Sequence, residues 1–189
     1  MTTTSLTQEQ QKILLNLAKQ SILYGLENQQ ATSIAATDYP IELQQQRASF
    51  VSLNINQQLR GCIGCLSAYR SLVEDVSANA YAAAFSDSRF PAVNKDEFPF
   101  LEYHISILSP SSPIQFIDED DLLSQIHPGR DGLILSEANN RATFLPSVWE
   151  QLRDKQQFLN HLKQKAGLSA NYWSNQIQVS RYSVENISN

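Results

Sequence analysis

The chain has 189 residues, 42% of them hydrophobic and 17% charged, with a formal net charge of −5. That length supports one substantial core, or a larger and a smaller part, and the acidic balance argues against a nucleic-acid partner, which requires a basic stripe that no Lys/Arg run supplies. Residues 1–7 lack the charged and apolar regions of a secretory leader, no stretch nears the roughly 18 apolar residues of a membrane span, and two cysteines make no disulfide framework, so a cytoplasmic protein with reduced thiols and no membrane partner is expected.

Thr7 to Gln10 has the form of a capping box, and Ile13, Leu14, Leu17, Ser21 and Tyr24 follow at helical spacing, so residues 7–25 are predicted as an amphipathic helix. Residues 28–47 show no sustained period and read as a polar connection with a short helix near 41–45. Val51, Leu53 and Ile55 alternate with Ser52 and Asn54, the signature of a half-buried strand, and Asn56-Gln57-Gln58 turns it into a partner strand that begins at Leu59. Ser71 and Glu74 make a second capping box, and Leu72, Val76, Ala80 and Ala83 form a stripe whose small alanines allow close packing on a sheet. After an irregular connection at 86–91, Leu101, Tyr103, Ile105 and Ile107 alternate with polar residues in a strand that ends before Ser109-Pro110.

The remainder reads as an acidic helix start over 118–126, a Pro128-Gly129 turn, a strand over 133–135, and a hairpin turn at Asn139-Asn140 into 142–145. Asp154 caps a helix with Phe158, Leu159, Leu162 and Ala166 facing inward and Gly167 at its left-handed stop. Ser169 starts one further turn, and residues 177–184 close the chain as a strand. Hairpins interspersed with helices, without regular strand-helix-strand alternation, predict an α+β fold: a mainly antiparallel sheet flanked by helices.

The chemistry gathers in Leu59-Arg60-Gly61-Cys62-Ile63-Gly64, which puts a fixed cation, a thiol and two glycines in one strand-like run. Glycine packs no side chain and weakens a strand, so the pair flanking Cys62 implies a close approach to the backbone, by a ligand or by another part of the chain. Arg60 and Cys62 share a strand face, and a neighbouring guanidinium favours the nucleophilic thiolate. The alternatives are a buried structural thiol and an ion-pairing or surface arginine.

Cys62 and Cys65 have Cys-x-x-Cys spacing, but residues three apart on a strand point to opposite faces, and His104, His127 and His161 are scattered singly. Neither a redox pair nor a zinc site is expected, and no cofactor or metal is assigned. Asp87 and Arg89 flank Ser88 in the irregular connection, where they either serve a site on the neighbouring sheet or pair with each other in solvent. His104 is a candidate general base or simply an exposed histidine.

With residues 50–53, Asp87-Ser88-Arg89-Phe90-Pro91, 105–110, Gly132-Leu133-Ile134, Leu145-Pro146, and Lys165-Ala166-Gly167-Leu168 followed by Trp173, the run at 59–64 resembles the AMMECR domain family, the A component of the AmmeMemoRadiSam system. Ser88 stands where that family usually has proline, and Cys65 where it tends to have Thr or Ser, so the second thiol is a peculiarity of this chain. The resemblance implies one domain over 1–189 with a smaller part within about 110–165, and a cavity between the parts. Arg60, Gly61, Cys62, Gly64, Asp87, Arg89 and Phe90 would gather at that cavity. It also implies a functional link to a Memo-like protein and a radical S-adenosylmethionine protein.

The expectation is therefore binding of a small polar or anionic ligand, or a partner group, in a pocket lined by Arg60, Cys62, Asp87 and Arg89. Two other classes stay open: an enzyme with Cys62 as thiolate nucleophile or carrier, and a pure interaction module for the companion proteins.

Overall fold

In the computed structural model, which describes residues 5–189, Thr7 caps α1 (Gln8–Asn28) through a complete capping box with Gln10. Residues 1–4, which carry part of the leader reading, lie outside the described residues. The chain continues through β1 (Ser49–Ile55), β2 (Gln58–Gly64), α2 (Leu72–Phe85), β3 (Glu102–Leu108), β4 (Ser112–Pro113) and α3 (Glu119–Gln125). It ends with β5 (Gly132–Glu137), β6 (Asn140–Phe144), α4 (Lys155–Lys165), β7 (Gln178–Tyr182) and β8 (Val184–Ser188). Short 3-10 turns at Ala36–Asp38 and Ile41–Gln44 occupy the polar connection. No helix among the described residues is long and apolar enough to cross a membrane.

These elements form an α+β fold with two four-stranded antiparallel sheets, in two compact units. The first unit comprises residues up to Leu108 together with Glu185–Asn189, and the second is Ser109–Val184.

In the first unit the strand order is β2-β1-β3-β8. Asn56 and Gln57 turn the β1–β2 hairpin with φ of 51° and 64°, the pair of positive values that matches the twist of a two-residue hairpin. Val51, Leu53, Tyr103, Ile105 and Ile107 form a core with Leu14, Ile22, Leu72, Val76 and Ala80 of the helices. Period-2 alternation then sets Ser52, Asn54, His104 and Ser106 on the face turned away from α1 and α2. Each fully buried Leu or Ile contributes about 1.5–3 kcal/mol, which fixes the register, because a one-residue slip would exchange the two faces.

A buried carboxylate ties α2 to the start of β1. Asp75, 1% exposed, accepts from Ser49 N at 2.8 Å, Ser49 Oγ at 2.6 Å and Asn79 Nδ2 at 2.9 Å. Its other oxygen takes the Arg70 guanidinium, with Nη2 at 2.9 Å.

In the second unit the order is β4-β7-β5-β6. Leu122, Leu133, Leu135, Phe158, Leu159 and Leu162 pack around Trp149, whose ring stacks on Phe158 at 3.6 Å. Gly167 ends α4 at φ +87°. Three details differ from the sequence reading. The strand expected over 177–184 is two strands, broken at Ser183, with β7 in one sheet and β8 in the other. The segment after Ser109-Pro110, where no strand is predicted, contains β4, in which Pro113 is tolerated because an edge strand needs no outward donor. Ala138, at φ 49°, turns the β5–β6 hairpin one residue earlier than the asparagine pair indicates.

Candidate functional site

β2 is an edge strand, so every second residue presents its N–H and C=O to no neighbouring strand. At Cys62 both groups are taken by one pair of side chains. Asp87 Oδ2 accepts the Cys62 N–H at 2.9 Å, and Arg89 Nη2 donates to the Cys62 carbonyl at 3.3 Å. The segment after α2 is shaped for this: Phe90 N–H reaches the Asp87 carbonyl and Arg89 N–H its Oδ1, making a tight turn. Asp87 and Arg89 also lock to each other, through Nε to Oδ1 at 2.9 Å and Nη2 to Oδ2 at 2.7 Å. The Arg89 guanidinium, with help from the Cys62 amide, holds the Asp87 carboxyl well below the usual carboxylate range. Asp87 first, and the Cys62 sulfur after it, keep Arg89 more firmly protonated. Phe90 lies beside this arginine, its ring centroid 5.5 Å from Cζ.

Because the Cys62 backbone groups point outward, its pairing with Ser52 on β1 is of the non-hydrogen-bonded kind, which brings facing side chains closest. Ser52 Oγ accordingly donates to Cys62 Sγ at 3.0 Å. Ser52 in turn faces His104 on β3. Cys62, Ser52 and His104 thus form one row across three strands, with the outer two Cα atoms about 10 Å apart from the ladder spacings. His104 Nε2 is shielded from solvent and has no hydrogen-bond partner among the described residues.

Arg60 sits one step along, at a β-bulge. Leu53 faces Gly61 and Asn54 faces Leu59, so Arg60 is the extra residue. Its side chain, 11% exposed, grips Glu97 in a fork, Nε to Oε1 at 2.7 Å and Nη2 to Oε2 at 3.0 Å, and this lowers the Glu97 carboxyl. Arg60 Nη1 is buried without a partner among the described residues. The cation that contacts the Cys62 residue is Arg89.

The glycines have a different office. A Cβ on Gly61 would collide with the carbonyl oxygen of Ala83 on α2, and one on Gly64 with the Phe50 ring and the Ser49 carbonyl. On the side where a Cβ would stand, the close approach is made by the chain itself. Cys65 is also set apart: its thiol faces Ser67 O at 3.2 Å, and burial followed by the Asp75 charge pushes its pKa up. Both cysteines are free. Among the described residues no three His, Cys, Asp or Glu side chains are placed to hold a metal ion.

Arg60, Gly61, Cys62, Gly64, Asp87, Arg89 and Phe90 therefore all lie in the first unit, with Asp87 and Arg89 directly on Cys62 and Arg60 directed to Glu97. Ser52 and Glu97 did not stand out in the sequence. Ser52 could have been found from the hairpin register, whereas nothing local marks Glu97, which is 37 residues from its partner.

A four-stranded sheet with one helical face and one polar face, whose edge thiol residue is clasped by an Asp-x-Arg turn, defines a class of α+β protein with a second α+β unit inserted before its last strand. The chain belongs to the AMMECR1 family, whose model matches residues 15–187. It is similar to protein MJ0810 of Methanocaldococcus jannaschii, 35% identical over 74% of this chain and 71% of that one. A Methanothermobacter thermautotrophicus protein is 29% identical over 95% of this chain and 94% of its own. Among solved structures, uncharacterized protein PH0010 from Pyrococcus horikoshii aligns with a TM-score of 0.84 at 30% identity, covering 96% of this chain and 92% of that one.

Proposed function

We propose that this AMMECR1-family protein binds a small polar or anionic ligand, or a partner group, in a pocket lined by Arg60, Cys62, Asp87 and Arg89, with His104 at its far side. What supports the reading is one observation: two shielded nitrogens without partners, Arg60 Nη1 and His104 Nε2, belong to residues around the Ser52–Cys62 pair. A buried donor left unpaired costs about 1–3 kcal/mol, so groups held in that condition call for a partner that arrives from outside. Arg89, 56% exposed and pre-oriented by Asp87, adds a fixed positive charge. The family resemblance supplies the context, in which a Memo-like and a radical S-adenosylmethionine protein deliver or receive the bound group.

The test is a thermal-shift panel of small carboxylates, phosphates and amides on the wild-type protein and on Arg60→Ala. A ligand at 100 times its Kd stabilises by about 2.7 kcal/mol. The expected result is a compound whose shift vanishes in Arg60→Ala while the variant keeps its circular dichroism spectrum. An identical shift in both proteins refutes the reading. Co-purification with the two companions, with and without the substitution, separates a bound small molecule from a bound partner group.

A second reading has its own observation. Ser52 Oγ donates to Cys62 Sγ and Arg89 donates to the carbonyl of the same residue, which places a hydrogen-bond donor and a cation beside a sulfur that would serve as covalent carrier or nucleophile.

A further inference from the structure

The second unit contains a charged cluster that the Cys62 site does not use. Asp131, 3% exposed, closes the Pro128-Gly129 turn by accepting the His127 N–H at 3.0 Å, and the Trp149 indole pins the Asp131 carbonyl from below at 2.8 Å. On this base two arginines from different elements converge. Arg130 Nε lies 3.1 Å from Asp131 Oδ1, and Arg181 Nη1, reaching across from β7, lies 3.3 Å from Oδ2. Both also reach the His127 ring, with Arg130 Nη2 at 2.8 Å and Arg181 Nη1 at 3.4 Å from Nδ1. Nδ1 also lies 3.2 Å from Asp131 Oδ2; because a guanidinium can only donate and the Arg130 contact is the shortest of the three, we assign Nδ1 as its acceptor and the ring proton to the outward Nε2.

The charge does not balance. Two guanidiniums share one carboxylate, which leaves the cluster at +1 on a chain whose net charge is −5. The carboxylate already takes three donors, yet Arg130 Nη1, Arg181 Nε and Nη2, and His127 Nε2 have no acceptor among the described contacts. Arg130 and His127 are about half exposed, at 61% and 52%. The space over Gly129 is open: apart from the glycine and its two chain neighbours, no atom lies within 4 Å of where a Cβ would stand. A surface ion pair built only for stability would pair its charges one to one and gain little. Two planar forks held by a buried anchor, with free donors directed outward, match the tetrahedral geometry of a phosphate-type oxyanion.

We infer that His127, Arg130 and Arg181, oriented by Asp131, form a second binding site that takes a phosphate-type oxyanion, such as the phosphate of a phosphomonoester. Asp131 acts as a positioning residue, and the ligand contacts are the free guanidinium and imidazole donors.

The test is titration with inorganic phosphate, followed by calorimetry and by amide chemical shifts, with sodium chloride at matched ionic strength as reference. Saturable binding is expected, with shifts centred on residues 127–131 and weakened about tenfold or more in Arg130→Gln and in Arg181→Gln. Arg60→Ala keeps this binding, which separates the site from the Cys62 site. Absence of saturation, shifts that match those from chloride, equal affinity in Arg130→Gln, or loss of binding in Arg60→Ala would each overturn the inference. Arg130 is exposed enough that its replacement leaves the fold intact, and unchanged circular dichroism verifies this.

Discussion

Replacing Asp75 by alanine tests how far one buried carboxylate holds helix to sheet. The consequence can be worked donor by donor. Asn79 Nδ2 keeps the Ser49 carbonyl at 3.0 Å and Ser49 Oγ at 3.2 Å, so it remains satisfied. Ser49 Oγ retains that contact as an acceptor, but its own O–H, which donated to Asp75, loses its acceptor. The Ser49 N–H has no other acceptor and lies in a residue of 0% exposure. Two orphaned buried donors cost about 1–3 kcal/mol each, and the lost pair with Arg70, 28% exposed and therefore screened, adds about 0–1 kcal/mol. The expected destabilisation is about 2–7 kcal/mol, a large fraction of a typical 5–15 kcal/mol. Urea unfolding followed by far-UV circular dichroism measures it. Tryptophan fluorescence does not, because Trp149 and Trp173 both belong to the second unit. A loss below about 1 kcal/mol with an unchanged m-value refutes the reasoning, since the Ser49 amide must then have found another partner.

Three further expectations follow from the site. Because the Asp87 pKa is depressed on folding, its contribution is fully present above the unfolded carboxylate value near 4 and is lost as pH falls toward the folded one. Asp87→Asn should therefore be less stable than wild type at pH 7 but lose less between pH 4 and pH 2, and parallel acid profiles contradict this. Gly61→Ala forces a methyl against the backbone carbonyl of Ala83 and should cost about 1–3 kcal/mol or more, read as a lower Tm; an unchanged Tm would mean that α2 shifts freely. Iodoacetamide at neutral pH should label Cys62 ahead of Cys65, whose thiol is held protonated by burial and by Asp75, as peptide mapping would show. Faster labelling of Cys65 counts against Cys62 as the nucleophile or carrier.

Local signals carried most of the fold because local forces set it. Both capping boxes, at Thr7 and Ser71, form as read, since a box needs only the residue three positions on. The alternation at 51–55 and 101–107 placed the two faces of the first sheet correctly for the same reason. What the sequence could not display is pairing at a distance. The division of the strands between two sheets is such a case, because strand partners are chosen by tertiary packing. The bulge at Arg60 depends on the register with β1, and the fork to Glu97 on how residues 94–100 return to β2. Arg60 and Cys62 invited a pairing by proximity along one strand, whereas the contact to Cys62 comes from Arg89, 27 positions later.

The last strand has a consequence for synthesis. β8 belongs to the first unit, yet it emerges only after the whole of Ser109–Val184. Until then the first sheet can have at most three strands and its β3 edge is bare, and the Leu6 amide and the Arg47 guanidinium lack Glu185, their partner at 2.8 and 4.0 Å. The second unit, continuous in sequence, can complete its own sheet first. The first unit is therefore completed only after the second has been made, and the sheet that bears the thiol is closed by the five residues of β8.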